Sequence, residues 1–173
     1  MFSRRRFALL LVLTSVAVLT ACGGANDHKA AATKTVEDRF PIMVGERTVQ
    51  LQIAASPEEM QKGLMHRKAM GAEEGMLFVF TAPQQMSFWM SNTEIPLNIG
   101  YFDATGELKE TYAMYPHDER SVASHARNLQ FALEMNQGWY KRSGVKPGAK
   151  LDLKAVAEAL RARGIKPEAA GLK

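Results

Sequence analysis

Apolar residues in the second and third quarters of this chain recur at every second position, in short runs closed by turn residues. Residues 40–44 and 47–53 flank Gly45-Glu46, a Gly-X pair suited to a tight type II′ hairpin. In the second run Val49, Leu51 and Ile53 alternate with Thr48, Gln50 and Gln52, which predicts a strand with one buried face. Ser56-Pro57-Glu58-Glu59 is a helix start: an N-cap serine, proline at the first helical position and glutamate at the capping-box position. Gly63 is the expected left-handed stop of that short helix. Residues 76–80 are five apolar side chains without alternation, the pattern of a strand buried on both faces. Further strands are predicted at 86–90, 97–102, 107–114 and 129–135, with Asp103-Ala104-Thr105-Gly106 as a hairpin turn. A last short strand at 150–153 follows Pro147-Gly148. Residues 154–163 then read as a small amphipathic helix, with Val156 and Leu160 one turn apart and Gly164 ending it. The fold class predicted over residues 40–153 is mainly β. It is a single jelly-roll-like sandwich or partly open barrel with a short early helix, followed at 154–173 by a C-terminal helix and tail.

The N-terminus has a different pattern. Arg4-Arg5-Arg6 precedes residues 7–19, an apolar stretch interrupted only by Thr14 and Ser15. At about 1.5 Å per residue it reaches roughly 20 Å, short of a hydrocarbon core of about 30 Å. A secretory signal is predicted, not a membrane span. It closes with Leu19-Thr20-Ala21-Cys22, which resembles a bacterial lipobox. The resemblance implies cleavage after residue 21 and a diacylglyceryl thioether on Cys22, with residues 22–39 as a flexible tether. Gly23, where an inner-membrane protein of this kind carries Asp, favours the outer membrane, with the domain facing the periplasm.

Composition narrows the function classes. Cys22 is the only cysteine, which excludes a disulfide framework, a multi-cysteine zinc site and, once it is lipidated, thiol catalysis. The formal charge of +4 disappears when its location is read: residues 22–153 carry 14 Lys and Arg against 16 Asp and Glu. Such a body has no electrostatic case for binding nucleic acid.

Candidate chemistry concentrates in three segments: Gly63-Leu64-Met65-His66-Arg67, Gly75-Met76-Leu77-Phe78, and Trp89-Met90-Ser91-Asn92-Thr93-Glu94-Ile95-Pro96-Leu97. Strand period puts Met86, Phe88 and Met90 on one face, and Ser87, Trp89 and Ser91 on the other. Leu133 and Met135 point one way from their strand and Glu134 the other. The expected binding residues are Arg67, Trp89, Asn92, Thr93 and Glu134, an aromatic floor with a guanidinium, an amide, a hydroxyl and a carboxylate around it. The alternative is structural, with Asn92 and Thr93 satisfying a turn and Arg67 paired with Glu134.

These segments, with Tyr115-Pro116 and Leu133-Glu134-Met135-Asn136-Gln137-Gly138, resemble the domain-of-unknown-function family 192. The resemblance implies a single β-rich, jelly-roll-like domain, often secreted or membrane-anchored, with no established activity. The family pattern usually continues Pro-Leu-Asp where this chain has Pro96-Leu97-Asn98, so any chemistry that depends on that carboxylate is lost here.

Other clusters are weaker. Met60, Met65, Met70, Met76, Met86, Met90, Met114 and Met135, with His66, His117 and His125, offer Cu(I)-type ligands, but the strand methionines fall at core-facing positions. Ser121 and Ser124 beside His125 lack any Gly-x-Ser-x-Gly elbow. The pairs Glu58-Glu59, Glu73-Glu74 and Asp118-Glu119 read as solvated, and so do Arg161, Arg163 and Lys166 of the tail. The expected function is a non-enzymatic envelope lipoprotein without cofactor or metal. It would be anchored to the membrane at Cys22 and bind a small polar ligand or a partner protein. The alternatives are a carboxylate-dependent hydrolase of envelope glycans, using Glu134 and a second acid, and a Cu(I)-binding accessory protein.

Overall fold

The computed structural model describes residues 32–172. The predicted signal peptide and lipobox, with Cys22, lie outside the described residues. Eight strands form: β1 (Phe40–Val44), β2 (Arg47–Ala54), β3 (Glu74–Gln84), β4 (Ser87–Phe88), β5 (Leu97–Asp103), β6 (Leu108–Met114), β7 (Val122–Ala123) and β8 (Leu129–Asn136). Three helices accompany them: α1 (Pro57–Lys62), α2 (Trp139–Ser143) and α3 (Leu153–Ala162), with a 3₁₀ turn at Pro167–Ala170. No helix among the described residues is long and apolar enough to cross a membrane.

Six strands make one mixed sheet in the order β1-β2-β3-β8-β5-β6, and β4 pairs with β7 separately. β2 and β3 are parallel, joined by the crossover that carries α1, and the remaining pairs are antiparallel. The sheet curls without closing. Residues 150–151 make single bridges to Val44 at the end of β1 and to Glu107 just before β6. The strand predicted at 150–153 is reduced to these bridges.

The two central strands, β3 and β8, are covered on both faces, which explains the unbroken apolar run in β3. One face buries Leu51, Ile53, Leu77, Val79, Phe131 and Leu133 under Val156 and Leu160 of α3. The other buries Met76, Phe78, Leu97, Ile99 and Tyr101 under Leu64, Met86, Met90 and Ile95 from the connecting loops. Full burial of each large aliphatic side chain contributes about 1.5–3 kcal/mol.

Local chemistry sets the boundaries. Ser56 caps α1 through the backbone N–H of Glu59, and Glu59 returns the bond to the N–H of Ser56. Gly63 ends the helix at φ 46°, ψ −130°, a conformation open to glycine but outside the left-handed helical region expected for a stop signal. The strand predicted at 86–90 pairs over only two residues. α2 was invisible to periodicity because it is five residues long and buries the adjacent Trp139 and Tyr140. Tyr140 reaches beneath β5 because Gly100 has no side chain: a Cβ there would lie 2.3 Å from the tyrosine hydroxyl.

Candidate functional site

Glu134 sits in the middle of β8, opposite Met76 of β3 and Ile99 of β5. Strand alternation turns it away from Leu133 and Met135 toward the face under the loops. It is 4% exposed. It forms the floor of a cleft of about 250 Å³ whose walls include Leu64, Met65, Phe78, Phe80, Phe88 and Trp89. Among the described residues lining it, Glu134 is the one acid.

Burial alone acts on the Glu134 carboxyl and pushes it up to about 8. The hydroxyls of two buried tyrosines are engaged elsewhere: Tyr101 donates to the carbonyl of Val122 at 2.7 Å and Tyr140 to the carbonyl of Leu133 at 2.8 Å. Burial first, then the Glu134 charge, raises both phenols. At neutral pH the floor of the cleft is therefore a protonated acid to which no described side chain is hydrogen-bonded or ion-paired, although Gln61, Lys62 and Ser87 line the same cleft.

The five expected residues divide among adjoining cavities. Trp89, Thr93 and Glu134 line one cleft, with Trp89 54% exposed as an outer wall. The Thr93 hydroxyl donates to the carbonyl of Ser91 at 3.2 Å, a turn bond. Asn92 lines a neighbouring hollow of about 450 Å³ that shares Trp89 and Met65. Arg67 lies in a third, of about 500 Å³, with Val36, His66 and Met76. The Arg67–Glu134 ion pair weighed from the sequence does not form: the Arg67 guanidinium is 3.7 Å from Glu37, a residue of the chain leading into β1. Met86, Phe88 and Met90 turn inward and Ser87 and Trp89 outward, as strand alternation predicts, yet Phe88 and Trp89 both border the cleft, with Phe80 of β3 beside them.

Three non-glycine residues have positive φ among the described residues: His66 at 64°, Asn92 at 52° and His117 at 60°. They stitch the loops over the cleft together. The His66 N–H donates to the Asn92 carbonyl at 2.8 Å, and the His117 N–H to the Thr93 carbonyl at 3.1 Å. Left-handed backbone at such residues costs of order 1 kcal/mol or more each and persists only where surrounding bonds enforce it.

Most other candidates have structural work. The Asn98 amide donates to the Tyr112 carbonyl at 3.0 Å while its oxygen accepts the N–H of Gly138, which opens α2. Asp103 cannot stand in for a missing acid. Burial pushes its carboxyl up, but Thr105, Lys109 and the Glu107 N–H outweigh that and hold it at about 2. Ser124 is buried, donating to the Ala126 carbonyl and accepting from the Met86 N–H. The paired carboxylates are not simply solvated. Glu59 binds Arg163, Glu73 accepts from the Trp139 indole at 2.9 Å, Glu74 meets Arg39 at 3.2 Å, and Asp118 holds Arg120. Arg163, read as a wet tail residue, is inside: its side chain is 6% exposed. Met76, Met86, Met90 and Met114 pack in the apolar cluster beneath the loops and Met135 in the opposite one. Among the described residues no group of three or more His, Asp or Glu is placed to hold a metal ion.

Two solved structures share this architecture. A candidate transcription regulator from Sinorhizobium meliloti 1021 matches at 29% identity and TM-score 0.62, over 66% of this chain and 92% of its own. A protein of unknown function from Novosphingobium aromaticivorans matches at 33% identity and TM-score 0.63, over 66% of this chain and 84% of its own. No functionally curated protein matches. The model of the family DUF192, described as Uncharacterized ACR, matches residues 41–153, the span that contains the sheet, the cleft and the three motif segments. The chain belongs to the DUF192 family.

Proposed function

We propose that this DUF192 protein is a non-enzymatic binding module of the cell envelope. It would be held to the outer membrane by the lipid on Cys22 and would take a small ligand in the cleft between Trp89 and Glu134. The observation that carries this reading is Glu134 itself. A carboxyl 4% exposed, without a protein hydrogen bond, at the floor of a cavity is a costly arrangement. Folding alone gains nothing from it, since Gln or Met would fill the same space more cheaply. A ligand that satisfies the carboxyl gives the arrangement a purpose. The two-acid hydrolase reading needs a second carboxyl about 5–10 Å away in the same cleft, and the described lining offers none.

The test uses the two tryptophans as opposed reporters, Trp89 exposed and Trp139 buried. Full-length protein in an uncharged maltoside detergent is titrated with the low-molecular-mass fraction of envelope extract. A change in Trp89 emission, lost in Trp89→Phe and in Glu134→Gln, together with a retained mass in native mass spectrometry, is the expected result. An unaltered spectrum and no retained mass would overturn the reading.

A further inference from the structure

We propose that the cleft receives a methylated ammonium group, enclosed by the rings of Phe78, Phe80, Phe88 and Trp89 and neutralised by the carboxylate of Glu134. This inference rests on the cleft being a ligand site and names the chemistry of its occupant. The rings do not lie flat on one another. Phe78 and Phe88 meet edge to face at 4.9 Å and 77°, and Phe80 and Phe88 at 6.4 Å and 82°. All three phenylalanines and Trp89 line the cleft together with Glu134. The negative faces of aromatic rings attract cations, most strongly when water is excluded.

The polar groups favour a methylated cation over a sugar or a primary amine. A primary ammonium brings three N–H donors that need separate acceptors, whereas the lining supplies one acid, Glu134, the Thr93 hydroxyl already donates to Ser91, and Gln61, Lys62 and Ser87 complete the polar lining. A quaternary nitrogen has no N–H to satisfy. It needs a counter-charge and apolar surface for its methyl groups, which Glu134 and the rings supply. The charged and titratable neighbours do not replace the ligand. Tyr101 on β5 and Tyr140 on α2 stay protonated. Lys62 at the end of α1 also lines the cleft, but its side chain is largely exposed and its ammonium lies 3.7 Å from Glu37.

The probe pair is choline and its uncharged carbon isostere, 3,3-dimethylbutan-1-ol, titrated calorimetrically into full-length protein in maltoside micelles. Choline is expected to bind at least tenfold more tightly than the isostere. Its affinity should rise as pH goes from 6.5 to 8.5, by up to about tenfold per unit below the Glu134 titration, because binding removes the carboxyl proton. Glu134→Gln should abolish the preference for choline over the isostere, with a melting curve showing that the variant is folded. Equal affinities, choline affinity independent of pH, or a preference that survives Glu134→Gln would each overturn the ammonium proposal. Binding of the isostere alone removes the ammonium and leaves the cleft as a ligand site. Binding of neither also overturns the ammonium proposal, and the envelope-extract titration decides separately whether the cleft binds anything.

Discussion

Glu134 couples the cleft to stability as well as to a ligand. Its folded-state titration lies at about 8 against an ordinary 4.5. Between those values the native protein holds a proton that the unfolded chain has released. Stability is therefore full below about pH 4.5 and falls as pH rises through 8. Glu134→Gln removes this dependence. In urea melts the variant should match the parent near pH 4.5 and exceed it by about 3 kcal/mol near pH 7.5, an order-of-magnitude figure from 1.36 kcal/mol per unit. A parent melt flat over that range would contradict the burial argument. Asn98 makes the opposite prediction. Asn98→Ala leaves the Gly138 N–H and the Tyr112 carbonyl without their partner and should cost about 1–3 kcal/mol at every pH. The direction of Glu134 was legible in the sequence, because an acid between Leu133 and Met135 in a strand must face away from both. The partner of Arg67 was not. Glu37 lies in a segment without apolar periodicity, and nothing in the sequence says that it folds back beside residue 67.

Elements with a regular apolar pattern were legible; those defined by a few contacts were not. The β1–β2 hairpin follows from alternation, β3 from its unbroken apolar run, β5, β6 and β8 from short apolar runs closed by turn residues, and the amphipathic α3 from helical period. β4 and β7 exist only because they pair with each other over two residues. A contact unseen in the sequence joins α1 to the end of α3, where Arg163 binds Glu59 and also donates to the Ile53 carbonyl. Burial pushes the Glu59 carboxyl up, but Arg163 and the N–H groups of Ala55 and Ser56 more than reverse it. Glu59→Ala removes a cap and strands a guanidinium that is 6% exposed, so it should cost about 3–5 kcal/mol. Ser56→Ala, which removes only the cap, should cost about 1 kcal/mol. Chemical denaturation of both variants separates the ion pair from the capping box. Equal losses would assign the whole effect to the cap.

At the scale of the whole molecule, the anchor is the property that the described residues do not reach. Cys22 is the only cysteine, so Cys22→Ala should abolish labelling by radioactive palmitate and move the protein out of the membrane fraction. Membrane association of the unlabelled variant would contradict the lipobox reading. The order of the sheet has a further consequence, for when the chain can fold. β8 lies at its centre, bonded on one side to β3 and on the other to β5, yet it is the last of the six strands to be synthesised. Until residue 136 emerges, β3 has only β2 to pair with, and the apolar faces of β3 and β5 have no strand between them. Pairings this distant in sequence form late, on a scale of milliseconds to seconds rather than microseconds. A nascent chain therefore cannot close its core before β8 has emerged. The strand that completes the sheet also carries Glu134, so the cleft gains its floor only when the sheet is complete.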